Sequence, residues 1–349
     1  MLMNNSQRYS SIRPNRIKRL YLAGFLLLAA AVVPGLALGS TFLTFSEILQ
    51  AFTEGFDSSA GARIFAYVRL PRTLASVVCG AALAVSGAVI QSVLANRLAS
   101  PSIIGVNSGA GLAVTLCTAF GVYGGWKLSF FAFLGAFSAV MLVSLGAKKW
   151  GASRGTVILI GVAVNCLLGA VSDTVVTFIP EVGVMSNDFK IGEFSSVTYQ
   201  KLIPAAVAVT LTVAVLLTLG NELDVITLGE DSARALGMNT SLGMNTSLMR
   251  TLFLLLAALL AGCAVSIAGL LSFVGLIVPN ALRRLTGGGS RHLLGLCALF
   301  GGAFVCLCDT LARTVFSPYE IPVGIIMAFL GAPFFLFILI KGKGGHAGA

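Results

Sequence analysis

Apolar stretches of about twenty residues follow one another with little interruption from Leu20 to Ile340. As a helix each covers about 30 Å, the hydrocarbon thickness of a bilayer. In lipid every backbone N–H and C=O must be satisfied within the protein, which leaves helices and closed barrels. Runs without the apolar–polar alternation of barrel strands select helices. Composition agrees: 57% of residues are hydrophobic, 10% are charged and mean hydropathy is +0.95, against about 25% charged residues in soluble domains. The chain reads as all-α, a polytopic transmembrane helix bundle forming a single domain over residues 1–349.

Spans are expected near Leu20 to Gly39, Thr73 to Leu94, Ile103 to Val122, Leu128 to Ala147, Thr156 to Phe178 and Leu202 to Gly220. Thr251 to Leu282 is too long for one crossing, since at 1.5 Å per residue it would reach about 48 Å. It must turn back, and Ala268-Gly269 is the expected corner. Leu293 to Val315 and Val323 to Ile340 complete about ten spans, which places both termini on one side. Sixteen Lys and Arg then fall with the termini and seven opposite, an asymmetry that puts the termini in the cytoplasm. The formal charge of +10 is accounted for by such loops, so it sets topology and does not mark a nucleic-acid surface. Residues 1–19 read as a basic cytoplasmic tail before an uncleaved first span.

Chemistry-bearing motifs are sparse. No Gly-x-x-x-x-Gly-Lys-Ser/Thr phosphate loop occurs, so this chain is not expected to hydrolyse ATP itself. Two histidines, His292 and His346, lie in basic segments, and all seven cysteines lie in apolar runs without zinc-ligand spacing; no catalytic residue and no metal site is expected. Gly80 with Ala84, and Gly105 with Gly109, offer small residues at four-residue spacing for close helix contact. Residues 221–250 form the longest polar cytoplasmic loop. Within it, Gly229-Glu-Asp-Ser-Ala-Arg-Ala-Leu-Gly237 fits a short amphipathic helix with acids at its start and Gly237 as its stop. The hexapeptide Leu-Gly-Met-Asn-Thr-Ser occurs twice in tandem, at 236–241 and 242–247. Six extra residues would rotate a helix by about 240°, so the second copy is read as lengthening a loop.

The segment Gly229 to Gly237 resembles the coupling loop of FecCD-type permeases, importer subunits for iron-siderophores, haem and cobalamin. Val68-Arg-Leu-Pro-Arg-Thr73 with Gly80 to Gly87, Gln91, Asn96 and Gly105-Val-Asn-Ser-Gly109 resembles that family's second and third spans. Phe273-Val-Gly-Leu-Ile-Val-Pro279, Asp309 to Arg313, Ile321-Pro-Val-Gly324 and Gly331-Ala-Pro-Phe334 resemble its last three. From about residue 65 the likeness runs in order to the end, whereas the tandem hexapeptide departs from the family's single copy.

The resemblance implies a permease in the bacterial cytoplasmic membrane that works beside a second copy or a paralogue. It further implies ABC ATPase subunits that bind ATP and Mg, an extracytoplasmic substrate-binding protein, surrounding membrane lipid, and no nucleic-acid partner. It implies Arg69, Arg72 and Arg313 as docking groups for binding-protein carboxylates, Asn96 and Leu98 as a cytoplasmic gate, and Gly229, Glu230, Ala233, Arg234, Leu236 and Gly237 as the ATPase-coupling element. Arginine suits the docking role because its fork receives a carboxylate in bidentate fashion; anchoring of helix ends by snorkelling is the alternative. Two acids fall within spans, where an unpaired charge is costly. Asp309, one turn before Arg313, is expected to form a structural intramembrane pair. Asp173, with Asn165 on roughly the same helix face, is a pathway candidate, with a hydrogen bond to a neighbouring helix as the alternative. An iron-siderophore chelate is the expected cargo, with cobalamin or haem as alternatives. A secondary transporter using Asp173 or Asp309 as an ion site is the rival class.

Overall fold

The computed structural model describes residues 14–39, 43–149, 154–228, 246–287 and 289–343. Its helices are α1 (Pro14–Ala37), α2 (Phe45–Thr53), α3 (Ala60–Ile64), α4 (Leu70–Val93), α5 (Val106–Ala119), α6 (Gly125–Lys149), α7 (Arg154–Phe178), α8 (Val182–Ile191), α9 (Tyr199–Thr218), α10 (Gly220–Leu228), α11 (Thr246–Ala268), α12 (Val274–Thr286), α13 (Ser290–Thr314) and α14 (Val323–Lys343). No strand occurs among the described residues. Seven helical segments are each long and apolar enough to cross a membrane, while α5 and the described apolar part of α14 are shorter.

α4 is the hub, packing against α13, α11, α12 and α9. Its sequence explains the position. Cys79, Gly80, Ala82, Ala84, Ser86, Gly87 and Ala88 place small side chains on every face, and a helix without a polar face belongs inside a bundle. In its most apolar window 78% of residues are buried, against 17% in α1 and in α7, which lie at the periphery.

The second expected span is longer than the apolar run from Thr73 suggested. α3, a π-helical segment Phe65–Arg69 and α4 form one continuous element. Pro71 has no N–H to give residue 67. The wider π turn, in which Leu70 N–H donates to Phe65 C=O, carries the helix through that gap, so the Arg-Leu-Pro-Arg motif sits inside a helix and not at its start. α5 is shorter than expected because Pro101 and the left-handed Gly105, at φ +99°, delay its start. The long run from Thr251 breaks where Ala268 ends α11 and Gly269 takes φ +71°. The chain then runs without helix to Phe273, which at φ +67° starts α12. Residues 221–250 are not one loop: α10 occupies its start, with Leu223 and Ile226 buried, and residues 229–245 lie outside the described residues. α2, α3 and α8 fall in segments with too little apolar sequence to announce a span.

α4 ends in a Schellman motif, with Ala95 N–H donating to Ser92 C=O at 3.2 Å and Asn96 N–H to Gln91 C=O at 3.1 Å. Its left-handed position is occupied by Ala95, at φ +47°, where glycine carries no Cβ penalty. Ala95→Gly should therefore raise the unfolding free energy by about 1 kcal/mol, read from thermal unfolding in detergent. A decrease would show that the turn is held by contacts of the Ala95 methyl.

Candidate functional site

Three arginines meet two carboxylates where α1, α4 and α13 converge. Arg69 and Arg72 lie one turn apart around Pro71, and Arg313 lies one turn after Asp309 on α13, so helical geometry alone places two residues from each element at the junction. Arg72 Nε is 3.1 Å and Nη2 3.0 Å from Asp309 Oδ1, and its Nη1 is 2.7 Å from Glu320 Oε2. Arg313 Nε approaches Asp309 Oδ2 at 3.1 Å, while its Nη2 donates to Gly35 C=O on α1 at 3.0 Å. Thr73 Oγ1 donates to the same carbonyl at 3.1 Å. A Cβ on Gly39 would fall 2.5 Å from the Arg69 guanidinium, so the end of the first span lies against that side chain.

Asp309 and Arg313 are thus in contact, and Arg72 is a second partner of Asp309 from another helix. Arg69, Arg72 and Arg313 are 3%, 7% and 1% exposed. In this conformation none presents its guanidinium at an open rim, and Glu320, with a third of its side chain accessible, is the surface member of the cluster. Sequence reading missed Glu320, which lies in a short segment between helices and touches Arg72 across 248 residues.

At the other end of α4 the turn holding Asn96 and Leu98 is tied to α12. Asn96 Oδ1 accepts the Leu98 N–H at 2.9 Å, and Asn280 Nδ2 donates to Arg97 C=O at 2.9 Å. Gln91 Nε2 donates to Gly275 C=O at 2.9 Å, and Arg283 Nη2 reaches Ala88 C=O at 3.0 Å and Ser92 Oγ at 2.8 Å. Leu98 is exposed. Asn280 and Arg283 were not singled out from the sequence; polar side chains interrupting an apolar run were the available signal. α13 is anchored nearby, because Asp224 on α10 accepts from Ser290 N–H at 2.9 Å and Ser290 Oγ at 2.6 Å, a carboxylate at a helix N-terminus supplied from outside that helix.

Asn165 and Asp173 on α7 are not brought together. Asn165 Nδ2 donates to Ser102 C=O at 2.9 Å and Ile103 C=O at 3.1 Å, and its Oδ1 accepts from Ser108 Oγ. It therefore holds α7 against the turn before α5. Asp173 is three-quarters exposed, with Lys190 Nζ of α8 at 3.7 Å. Between them, buried Thr115 Oγ1 lies 3.0 Å from both Ser172 Oγ and Ser186 Oγ, linking α5, α7 and α8. Gly229, Glu230, Ala233, Arg234, Leu236 and Gly237 lie outside the described residues. Among the described residues no group of three or more His, Cys, Asp or Glu is placed to hold a metal.

Residues 26–341 match the FecCD transport family. The Fe(3+)-citrate import system permease protein YfmD of Bacillus subtilis (strain 168) is 34% identical over 288 residues, covering 82% of this chain and 84% of the relative. The vitamin B12 import system permease protein BtuC of Yersinia pseudotuberculosis serotype O:1b (strain IP 31758) is 33% identical over 349 residues, covering 98% and 99%. Among solved structures, an inward-facing conformation described as a metal-chelate type ABC transporter superposes with a TM-score of 0.78 at 31% identity, covering 93% of this chain and 99% of that one. The match extends over most of the chain in sequence and in helix arrangement, and the chain belongs to the FecCD transport family, as a multi-pass permease subunit of an ABC importer.

Proposed function

We propose that this permease carries a ferric chelate of the siderophore or citrate type across the bacterial cytoplasmic membrane by alternating access. Its partners in this reading are a second permease copy or paralogue, ABC ATPase subunits that bind ATP and Mg, and an extracytoplasmic binding protein. The observation that carries the reading is the likeness, over 93% of the chain, to an inward-facing transporter described as of metal-chelate type. A cobalamin cargo is the second reading, favoured by the likeness to a vitamin B12 permease over 98% of the chain; haem is the third.

Energy enters, in this proposal, at Gly229 to Gly237, pressed into a groove of the ATPase. Movement there is passed to α11, and from the α11–α12 corner through α12 to the end of α4, where Asn280 holds the Asn96–Leu98 turn at Arg97 C=O and Arg283 holds Ala88 and Ser92. At the opposite end, carboxylates of the binding protein exchange with Glu320 for Arg72, recruiting Arg69 and Arg313 as the cluster loosens. The rival ion-coupled mechanism has little support in the acids themselves. Asp309 is already engaged by two guanidiniums, and Asp173 faces Lys190.

Reconstitution in liposomes tests the proposal. With the ATPase, the binding protein and ATP, labelled ferric chelate should accumulate and cobalamin should not; the reverse selectivity selects the second reading. Arg234→Glu is expected to lower ATPase co-purification at least tenfold. Unchanged co-purification removes the coupling role, and uptake driven by an ion gradient without the ATPase removes the mechanism.

A further inference from the structure

α6 and α9 both pack on α11 but make little contact with each other, and the space between them is a groove open to the side of the bundle. Its apolar half, about 600 Å³, has Phe130 and Phe133 on one wall, Pro204, Ala205 and Ala208 on the other, and Cys263 of α11 as part of its floor. The flanking residues Phe131, Leu134, Ile203, Val207 and Leu211 are exposed and apolar, the character of a wall that hydrocarbon covers. A cleft in such a wall is filled by whatever chain the bilayer supplies.

The groove continues at the first turns of α6 and α9 into a polar cavity of about 430 Å³, sharing Trp126, Ser129, Gln200 and Lys201 with the apolar half. Lys201 Nζ spends one donor on Ser196 C=O at 3.1 Å, and an ammonium has three. Pro204 has no N–H to give the Gln200 carbonyl four residues before it. Glu193 and Asp188, two acids, line the same cavity; Glu193 Oε1 accepts from Ser195 Oγ at 2.5 Å, and the Glu193 backbone is held by its N–H to Ala268 C=O at 2.8 Å. Trp126 stands at the rim, 55% exposed, as aromatic side chains do at the level of lipid headgroups. A purely anionic headgroup would suit Lys201 but meet the carboxylates, and a purely cationic one would meet Lys201. A headgroup bearing both a phosphate and a primary ammonium answers both ends, with a hydrocarbon tail for the apolar half.

We propose that this groove is a binding site for one phosphatidylethanolamine-type lipid. Its phosphate lies against Lys201 and Ser129, its ammonium against Glu193 and Asp188, and one acyl chain between α6 and α9 over Cys263. The site is separate from the Asp309 cluster and from the α7 residues considered for the pathway.

Native mass spectrometry of the full chain in lipid-depleted detergent tests the assignment, with phosphatidylethanolamine, phosphatidylglycerol and phosphatidylcholine competing at equal concentration. One phosphatidylethanolamine should be retained at least about tenfold over either competitor; each tenfold step corresponds to 1.4 kcal/mol. Phosphatidylcholine should bind less well because its quaternary nitrogen carries no N–H. Lys201→Met should remove the retention, Glu193→Gln should shift selection toward phosphatidylglycerol, and Ala208→Trp should exclude all three by filling the tail groove. Selection within one sample reads on folded protein, so a variant with reduced yield still reports. Equal or better retention of phosphatidylglycerol by the unaltered chain would overturn the headgroup assignment. Unchanged binding in both Lys201→Met and Ala208→Trp would overturn the site. Displacement of the lipid by millimolar inorganic phosphate would show a free-phosphate site instead. Efficient disulfide formation between two copies of Leu134→Cys would show that a second chain, not lipid, covers the groove.

Discussion

Asp309→Asn is expected to destabilise the permease by about 3–5 kcal/mol, the loss that follows when one partner of a buried ion pair is removed and the other charge stays behind. Here two charges stay behind, since Arg72 and Arg313 both rely on this carboxylate, and Asp309 itself is fully buried. The neutral amide fills the same space, so lost volume cannot account for the effect. Combining Asp309→Leu with Arg313→Met should recover at least half of the loss. It removes one stranded guanidinium and leaves Arg72 with Glu320 at 2.7 Å, and an apolar replacement of a buried pair is often neutral. Glu320→Gln alone should cost about 1 kcal/mol or less, because that carboxylate is partly solvated. Thermal unfolding in detergent reads all three. A single Asn variant within about 1 kcal/mol of the parent would mean that water reaches the guanidiniums and that the cluster is not a closed joint between α1, α4 and α13.

Gly80→Val is expected to separate α4 from α13, at about 3 kcal/mol or more. A Cβ at Gly80 would lie 2.2 Å from Gly301 C=O oxygen and 2.7 Å from its carbon, and one at Gly301 would lie 2.4 Å from Gly80 C=O oxygen. The obstacle is backbone on both sides, which no rotamer change can clear. Gly87 meets Gly275 in the same manner, with 2.1 Å to its carbonyl oxygen, so α4 touches two helices through paired glycines. Close approach of backbones is how helices gain packing contact in lipid, which supplies no hydrophobic drive between them. Gly111→Ala is the control. Nothing lies within 4 Å of its Cβ position, so Ala should be neutral or stabilising by up to about 1 kcal/mol. If Gly80→Val unfolds at the same temperature as Gly111→Ala, the α4–α13 contact is looser than its geometry implies.

Much of the bundle was legible because a membrane makes hydropathy a direct statement about structure. Every apolar run from Leu20 onward carries a helix, and the excess length of Thr251 to Leu282 located its break at Ala268-Gly269. Gly80 on α4 and Gly109 on α5, both singled out by their spacing from small residues, do meet the backbones of other helices, at Gly301 and Gly135. The family likeness likewise rests on residues that can be quoted in order. Elements with weak hydropathy were not legible: α2, α3 and α8 carry too few apolar residues in a row, and the π turn before Pro71 has no compositional mark.

The tertiary structure decided the partners. A span shows from its sequence that it needs a neighbour, since an intramembrane charge must be neutralised and a bare glycine face must be met. It does not show which neighbour, because pairing energies depend on distances between residues far apart in the chain. Asp309 and Arg313 are one turn apart and so readable together, but Arg72 and Glu320, separated by 248 residues, meet only once α4 and α13 are docked. In the same way Gly80 announced a close contact and only the fold named Gly301. The sequence determined a helical membrane bundle, through the local demand of every backbone group and side chain for a solvent it can tolerate. Which helices close on which was left to packing, a collective property of the whole bundle.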